Sequence, residues 1–377
     1  MSDLSMLRRN RPASRPSPRA LKVAAGVFAL TLSLVACSST NSGDNASPTS
    51  SPTAGDTVRL VTYDAYAISD ATLADFTKQT GIKVEVSKSG DGAEVVNRAI
   101  LTKDNPEGDV LFGVDNNLLS RAIDQGLFTE YAAAGLDSIP AQYRMDPTKH
   151  VTPIDVGDVC VNYDRTWFEQ KNIPVPTTLD DLTKPEYKNL LVVENPATST
   201  PGLAFLLATV AKSGESRYQD YWKSLKNNGV LVVNDWSTAY EKEFSGGTGK
   251  GPRPLVVSYA SSPAAEVVFA DPKPADGKST TGSLDQTCYR QVEFAGVLAN
   301  AKNTEGAKKL VDFMITKTYQ SDLPLNNFVF PVLPGVTLPK EFTDNATLVA
   351  RPLSVPPEQV AANRDQWVST WTDTVQR

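Results

Sequence analysis

The sequence predicts an α/β protein of two lobes, each a doubly wound mixed sheet with flanking helices. Apolar runs alternate with amphipathic stretches in a β-α-β-α-β rhythm, which favours a parallel, doubly wound sheet. About 320 residues follow an N-terminal leader, more than one hydrophobic core usually covers. The alternation consists of strands over 58–63, 82–86 and 109–114 and of helices over 71–80, from Asp91 onward, and over 116–126.

The first residues read as an export and anchoring signal. Basic residues precede an apolar run, Val23–Ala36, that is too short to span a bilayer comfortably. Leu34-Val35-Ala36-Cys37 resembles the lipobox of bacterial lipoproteins, which implies cleavage before Cys37 and its lipidation. The alternative is a secretory signal followed by a chance cysteine. We predict a signal peptide over 1–36 and, over 37–57, the lipidated cysteine with a flexible linker of small and polar residues.

The net charge excludes some classes of binding partner, and the cysteine count indicates a disulfide. The full chain carries a net charge of −6, and removal of residues 1–36, which carry +5, leaves −11. Such a balance argues against nucleic acid and against adhesion to anionic lipid. With Cys37 assigned to lipid, Cys160 and Cys288 remain as a pair in an oxidising compartment. A disulfide between them is favoured over two buried thiols.

The central stretch of the chain is a strand-to-helix junction over 190–214. A Val-rich apolar run predicts a buried strand, and Thr198, Ser199 and Thr200 follow it. Thr200 reads as a helix N-cap and Pro201 as the first helical residue. Because the helix over 203–211 is apolar all round, we expect it to be buried.

Two further junctions repeat this design. Over 84–100 a strand leads to Asp91 as helix N-cap, with Glu94 completing a capping box. Over 255–268 a strand and a Ser-rich turn lead to a helix that opens at Ser262. Since ligands bind at the carboxyl ends of strands in open α/β sheets, we expect the three junctions to hold one ligand between them. Each junction alone is equally explained as a well-capped turn.

Two long strand signals predict the crossings between the lobes. One covers 152–163 and is interrupted by Gly157, and the other, over 289–297, reads as a strand and the start of a helix. The predicted lobes are therefore 58–156 with 287–316, and 157–286 with 317–377. The remaining predicted elements are one strand, over 230–233, and four helices. Three helices cover 218–226, 305–315 and 360–375, and the fourth begins at Trp236.

Signals of catalysis are poor. His150 is the only histidine, and no nucleophile elbow, Walker A loop, dinucleotide fingerprint or EF-hand loop occurs. We therefore predict no catalytic residue, no metal site and no cofactor.

Several runs of the chain together resemble the periplasmic thiamine-binding proteins of ABC importers, in order and over almost all of 58–377. These runs are Tyr63-Asp64, Asp91-Gly92, Asp115 to Leu119, Thr198 to Gly202, Trp236-Ser237 with Ala239-Tyr240, Ser258 to Ala264, Gln291 to Glu293, and Pro331-Val332. The resemblance implies a two-lobe periplasmic-binding-protein-like fold with the ligand in the cleft between the lobes.

The resemblance also implies a function and a ligand set. We expect an extracytoplasmic lipoprotein, a monomer on the outer face of the cytoplasmic membrane, that delivers thiamine and its mono- and diphosphate to an importer permease. Phe328 stands where the enteric members of the family have Trp. The implied ligand-binding residues are Tyr63, Asp91, Gly92, Ser199, Thr200, Trp236, Tyr259, Ala260, Ser261, Ser262 and Phe328.

The chemistry of thiamine suits these residue types. Trp236 and Tyr259 offer faces for its rings and its thiazolium cation. Helix N-termini after Asp91 and Thr200 offer N–H groups for a phosphate. Asp91 as a helix cap alone, and Trp236 as a core residue, remain the structural alternatives.

Two other functions stay open at this stage. A carrier of another small solute such as ferric iron would want adjacent tyrosines, and no Tyr-Tyr pair occurs. A thiamine-processing enzyme on the same fold would need a nucleophile in the cleft, and neither Cys160 nor Cys288 lies in a turn typical of one.

Overall fold

The computed structural model describes residues 55–247 and 249–377. The predicted signal peptide, Cys37 and almost all of the predicted linker lie outside the described residues. The first strand begins at Thr57, the last residue of the predicted linker.

The described chain contains helices and strands in alternation. The strands are β1 (Thr57–Thr62), β2 (Lys83–Lys88), β3 (Val110–Asp115), β4 (Thr152–Asp164), β5 (Leu191–Glu194), β6 (Leu231–Val233), β7 (Leu255–Tyr259), β8 (Thr281–Val297) and β9 (Phe330–Pro331). The helices are α1 (Asp70–Thr80), α2 (Gly92–Leu101), α3 (Leu119–Asp124), α4 (Arg165–Lys171), α5 (Thr200–Ser213), α6 (Tyr218–Asn227), α7 (Ser262–Phe269), α8 (Thr304–Met314), α9 (Lys317–Asn326), α10 (Lys340–Asn345) and α11 (Pro357–Val375). Thr238–Glu243 forms a π-helical turn.

The strands form one mixed sheet in the order β2-β1-β3-β8-β4-β7-β5-β6, with β9 on β4. In one half of the sheet, β2 and β3 lie on either side of β1 and run parallel to it. In the other half, β6 and β7 lie on either side of β5 and run parallel to it. The long strands β4 and β8 run antiparallel to each other in the middle. The two predicted sets of strands are thus joined through β4 and β8, while the boundaries of the lobes stay a prediction.

The prediction for the second crossing is wrong in part. The segment after Tyr289 does not begin a helix, because β8 continues without interruption from Thr281 to Val297. Its first half pairs with the end of β4, for example Ser283 with Asn162. That pairing makes a strand of a stretch whose own sequence is polar.

The core lies on both faces of this sheet, and α5 is its most buried helix. Every residue from Thr200 to Val210 is buried, as its apolar sequence predicts. Thr209 is polar, and its hydroxyl accepts the indole N–H of Trp222 at 2.9 Å. The rings of Trp222 and Trp371 pack edge to face with centroids 5.4 Å apart, so the C-terminal helix α11 packs against α6.

Cys160 of β4 and Cys288 of β8 form a disulfide with an S–S distance of 2.02 Å. Both residues are fully buried and pack against Ala260. No helix in the described part of the chain is long and apolar enough to cross a membrane.

Candidate functional site

The three predicted junctions meet at the carboxylate of Asp91. One oxygen accepts the N–H of Gly92 at 2.6 Å and that of Thr200 at 3.2 Å, and the other accepts the N–H of Trp236 at 3.0 Å. Asp91 is only 6% exposed. Burial raises its pKa to about 6, although the hydrogen bonds, led by that of Trp236, act to lower it. One carboxylate therefore joins the starts of α2 and α5 to the turn after β6.

The caps differ from the sequence-based prediction in two details. Ser199, not Thr200, is the N-cap of α5, and its hydroxyl accepts the N–H of Gly202 at 3.3 Å. The capping box of α2 does not form, because the N–H of Glu94 donates to the carbonyl of Thr198 at 3.0 Å. Of the N–H groups at the two helix starts, those of Gly92 and Thr200 thus donate to Asp91, and those of Glu94 and Gly202 donate to Thr198 and Ser199.

The third junction is tied to the others through Trp236. Its indole N–H donates to the hydroxyl of Ser258 at 2.9 Å, and Ser258 in turn contacts the hydroxyl of Ser262 at 2.8 Å. The ring of Trp236 stacks on that of Tyr240 with centroids 5.0 Å apart and planes 12° apart. The indole is therefore fixed in place at the carboxyl ends of β6 and β7.

A cavity of about 120 Å³ opens beside these junctions. The residues that line it are Tyr63, Asp64, Ala65, Asp91, Thr200, Pro201, Trp236, Tyr240, Tyr259, Ser262, Ala265, Glu293, Asn326, Asn327, Phe328 and Val329.

Two glycines make room for aromatic walls of the cavity. A Cβ on Gly157 would lie 3.2 Å from Cδ1 of Tyr259, and one on Gly113 would lie 2.6 Å from Cδ1 of Tyr63. Gly113 also has a φ of +107°, which favours glycine. The sheet therefore lets both phenol rings lie close against its backbone.

The lining has an acidic and aromatic character. It contains the carboxyl groups of Asp64, Asp91 and Glu293, and no Lys, Arg or His is among the lining residues that the structure describes. Aromatic faces attract cations, and carboxylates do so more strongly. Such a cavity suits a flat organic cation.

Glu293, which lines the cavity, is held by a short chain of hydrogen bonds. The amide of Asn327 donates to the phenol oxygen of Tyr63 at 2.9 Å, and that phenol donates to Glu293 Oε2 at 3.1 Å. Burial, with the nearby charge of Asp115, raises the pKa of Glu293 to about 8. Asp155 lies directly opposite on β4.

The structure brings together most of the predicted site residues. Seven line the cavity: Tyr63, Asp91, Thr200, Trp236, Tyr259, Ser262 and Phe328. The other four are buried and are not among its lining residues: Gly92 and Ser199 at the helix starts, and Ala260 and Ser261 in the turn after β7.

The residues that sequence reasoning missed are mainly Tyr240, Glu293 and the Asn326-Asn327 pair. Tyr240 and Glu293 stand within runs that carry the family resemblance, which was the signal available for them. The two asparagines lie at the end of α9, a helix that no periodicity indicated.

The described fold and site are those of a solute-binding protein. The family described as "Bacterial extracellular solute-binding protein" matches residues 105–355. The chain therefore belongs to the bacterial extracellular solute-binding proteins.

Relatives within this family sharpen the comparison and confirm the resemblance stated above. The "Thiamine-binding periplasmic protein" of Escherichia coli (strain K12) is 30% identical over 86% of this chain and 95% of its own. A solved "Periplasmic thiamin binding protein" superposes with a TM-score of 0.74 at 28% identity, covering 85% of this chain and 96% of that one. The "Iron uptake protein A1" of Synechocystis sp. is more distant, at 23% identity over 75% of this chain and 78% of its own. The two-lobe α/β fold class predicted from the sequence is confirmed.

Proposed function

We propose that this protein is an extracytoplasmic carrier that captures thiamine and delivers it to an ABC importer permease. The observation that carries the proposal is the composition of the cavity: four tyrosine and tryptophan rings and three carboxyl groups, with no basic side chain among its described lining residues. Thiamine is a permanently charged cation with two flat rings joined by a methylene group. The names of this chain's relatives point to the same ligand.

Trp236, Tyr259 and Glu293 all line the cavity. In this proposal the two aromatic side chains flank the rings, and Glu293 balances the positive charge. Asp91 organises the wall through backbone N–H groups. We propose that thiamine monophosphate and diphosphate also bind, but more weakly. The reason is that Asp91 already accepts the N–H groups of Gly92 and Thr200 at the two helix starts, and that the described lining offers no cation to a phosphate.

The proposed function also includes a location for the protein and a mode of action. Cys37 would carry the lipid that holds the protein on the outer face of the cytoplasmic membrane, as a monomer. We propose that the protein is not an enzyme and needs no cofactor.

Calorimetric titration of the purified chain with thiamine, its two phosphates and ferric citrate tests this proposal. We expect saturable, one-to-one binding of thiamine, weaker binding of the esters and none of iron. Incubation with thiamine monophosphate followed by chromatography should show unchanged ester. Absence of thiamine binding would overturn the proposal, as would turnover of the ester.

A further inference from the structure

Asp155 and Glu293 form a cross-strand pair of carboxyl groups in the middle of the sheet. They are register partners on β4 and β8, and they are 1% and 4% exposed. Like charges directly opposite each other on neighbouring strands are destabilising, and burial makes the repulsion stronger. Two ionised carboxylates are therefore not a stable state of this pair.

No positive charge compensates the pair. Within residues 55–247 and 249–377, no Lys or Arg forms an ion pair with either carboxyl group. Apart from Glu293, no described hydrogen-bond donor reaches the oxygens of Asp155. The titratable groups that face the pair from neighbouring elements are all acidic or phenolic: Tyr63 and Tyr66 after β1, Asp91 before α2, Asp115 on β3, Tyr259 on β7 and Tyr319 on α9.

The pair is also in contact with the ligand space. Glu293 lines the cavity, and Tyr63, which donates to it, lines the cavity beside it. A permanent cation that enters would bring the missing countercharge to the carboxyl pair. It would then favour the ionised form of a group that must otherwise stay protonated.

We propose that the Asp155–Glu293 pair holds a proton while the cavity is empty and releases it to solvent when a permanent organic cation binds. One positive charge enters the site and one leaves, so the charge of the site is unchanged by binding. This inference rests on the proposed function, in which the thiazolium ring of thiamine is that cation. Its consequence is that the affinity for thiamine rises with pH.

The pKa directions agree with this geometry. Burial raises the pKa of Glu293 to about 8, and burial together with Glu293 raises that of Asp155 well above its ordinary value. Asp91, whose pKa is raised to about 6, is already ionised near neutral pH. Proton release at slightly alkaline pH therefore reports on the pair and not on Asp91.

Proton release can be counted directly by calorimetry on the full chain. Thiamine is titrated at about pH 7.5 in phosphate and in Tris, whose ionisation enthalpies differ, so that the difference in observed heat gives the protons released. We expect release approaching one proton for thiamine. An uncharged analogue with a thiophene in place of the thiazolium ring should bind without release.

Variants of the two carboxyl groups test whether the released proton comes from this pair. Glu293→Gln should abolish the release and make the affinity nearly independent of pH, whereas in the parent affinity should rise by up to about tenfold per pH unit below pH 8. Asp155→Asn is the second variant and should give the same loss of release. Glu194→Gln is the matched control, because Glu194 is equally buried but does not line the cavity, and it should keep the release.

The outcomes separate the two proposals. Thiamine binding without proton release in the parent, or release that persists in both variants of the pair, overturns this inference and leaves the proposed function standing. Failure of the parent to bind thiamine at any pH overturns both.

Discussion

The backbone N–H of Trp236 donates to the carboxylate of Asp91 at 3.0 Å, although 145 positions separate the two residues along the chain. The other oxygen of Asp91 accepts the N–H of Thr200 at 3.2 Å. The aromatic wall of the cavity and the start of α5 are thus positioned by one buried carboxylate. Asp91 is more than the N-cap of its own helix.

Asp91 should give the folding stability a distinctive pH dependence. Burial raises its pKa from the ordinary 3.8 to about 6. Between about pH 4 and pH 6 the folded chain keeps a proton that the unfolded chain has released, so the free energy of unfolding due to this group falls as pH rises. Above pH 6 the contribution is constant.

Urea unfolding of the parent and of Asp91→Asn measures this effect, because other groups cancel in the comparison. The stability of the parent relative to the variant should fall by about 2 kcal/mol between about pH 4.5 and pH 7. A difference that stays constant over this range would mean that the pKa of Asp91 is not raised.

Gly92 should tolerate no side chain. A Cβ at this position would lie 2.8 Å from both Cγ2 and Oγ1 of Thr200. Gly92→Ala should therefore push apart the starts of α2 and α5 and lower the free energy of unfolding by about 1–3 kcal/mol. Thermal and urea unfolding would show the loss, and the affinity for thiamine should fall with it.

Gly55→Ala is the control for Gly92→Ala, since no atom lies within 4 Å of a Cβ at that position. It should leave unfolding and binding unchanged. Equal stability of Gly92→Ala and the parent would show that the two helix starts are not held at this distance.

Elements of this fold that depend on their own local sequence could be predicted, and elements that depend on pairing with distant parts of the chain could not. Strands such as β1 and β3, and the buried helix α5, follow from apolar periodicity within their own sequences. The first half of β8 begins with Thr281, Gly282 and Ser283, which give no strand pattern. Their conformation comes from pairing with β4, which local sequence does not encode.

The same distinction applies to the site. Asp91 and Trp236 could be predicted because each follows a strand, and carboxyl ends of strands collect ligands. The chain from Asn327 through Tyr63 to Glu293 could not, because its members are 264 and 230 positions apart. In the sequence Glu293 is an ordinary residue of a strand. Only the fold shows that it lies opposite Asp155.

The Cys160–Cys288 disulfide should contribute strongly to stability. The two residues are 128 positions apart, and in the chain-entropy model a loop of this length stabilises the fold by about 4–5 kcal/mol. Urea unfolding of the double variant Cys160→Ala, Cys288→Ala should show a loss approaching this value. Peptide mapping of the parent without reductant should recover the linked peptides, and alkylation of both thiols before reduction would contradict the bond.

Cys37 should anchor the protein to the membrane, as the lipobox-like Leu34 to Cys37 predicts. Cys37→Ser should block processing or release the protein from the membrane fraction, because no thioether can form. Fractionation and mass measurement of the mature chain would detect this. Ser38→Ala is the control and should stay processed and membrane-bound, and a Cys37→Ser protein that behaves likewise would refute the anchor.

Trp236 should be a face of the binding site. Its ring lines the cavity, and its N–H groups are tied to Asp91 and Ser258, so the indole is held in place before a ligand arrives. A desolvated contact between Trp and a cation contributes about 2 kcal/mol, so Trp236→Ala should weaken thiamine binding by roughly tenfold or more, and Trp236→Phe should recover part of the loss. Thiamine should quench the emission of the parent and of Trp167→Phe, whose indole lies outside the cavity lining, but much less that of either Trp236 variant. A Trp236→Ala protein that melts at a lower temperature yet binds thiamine as tightly as the parent would make Trp236 a packing residue only.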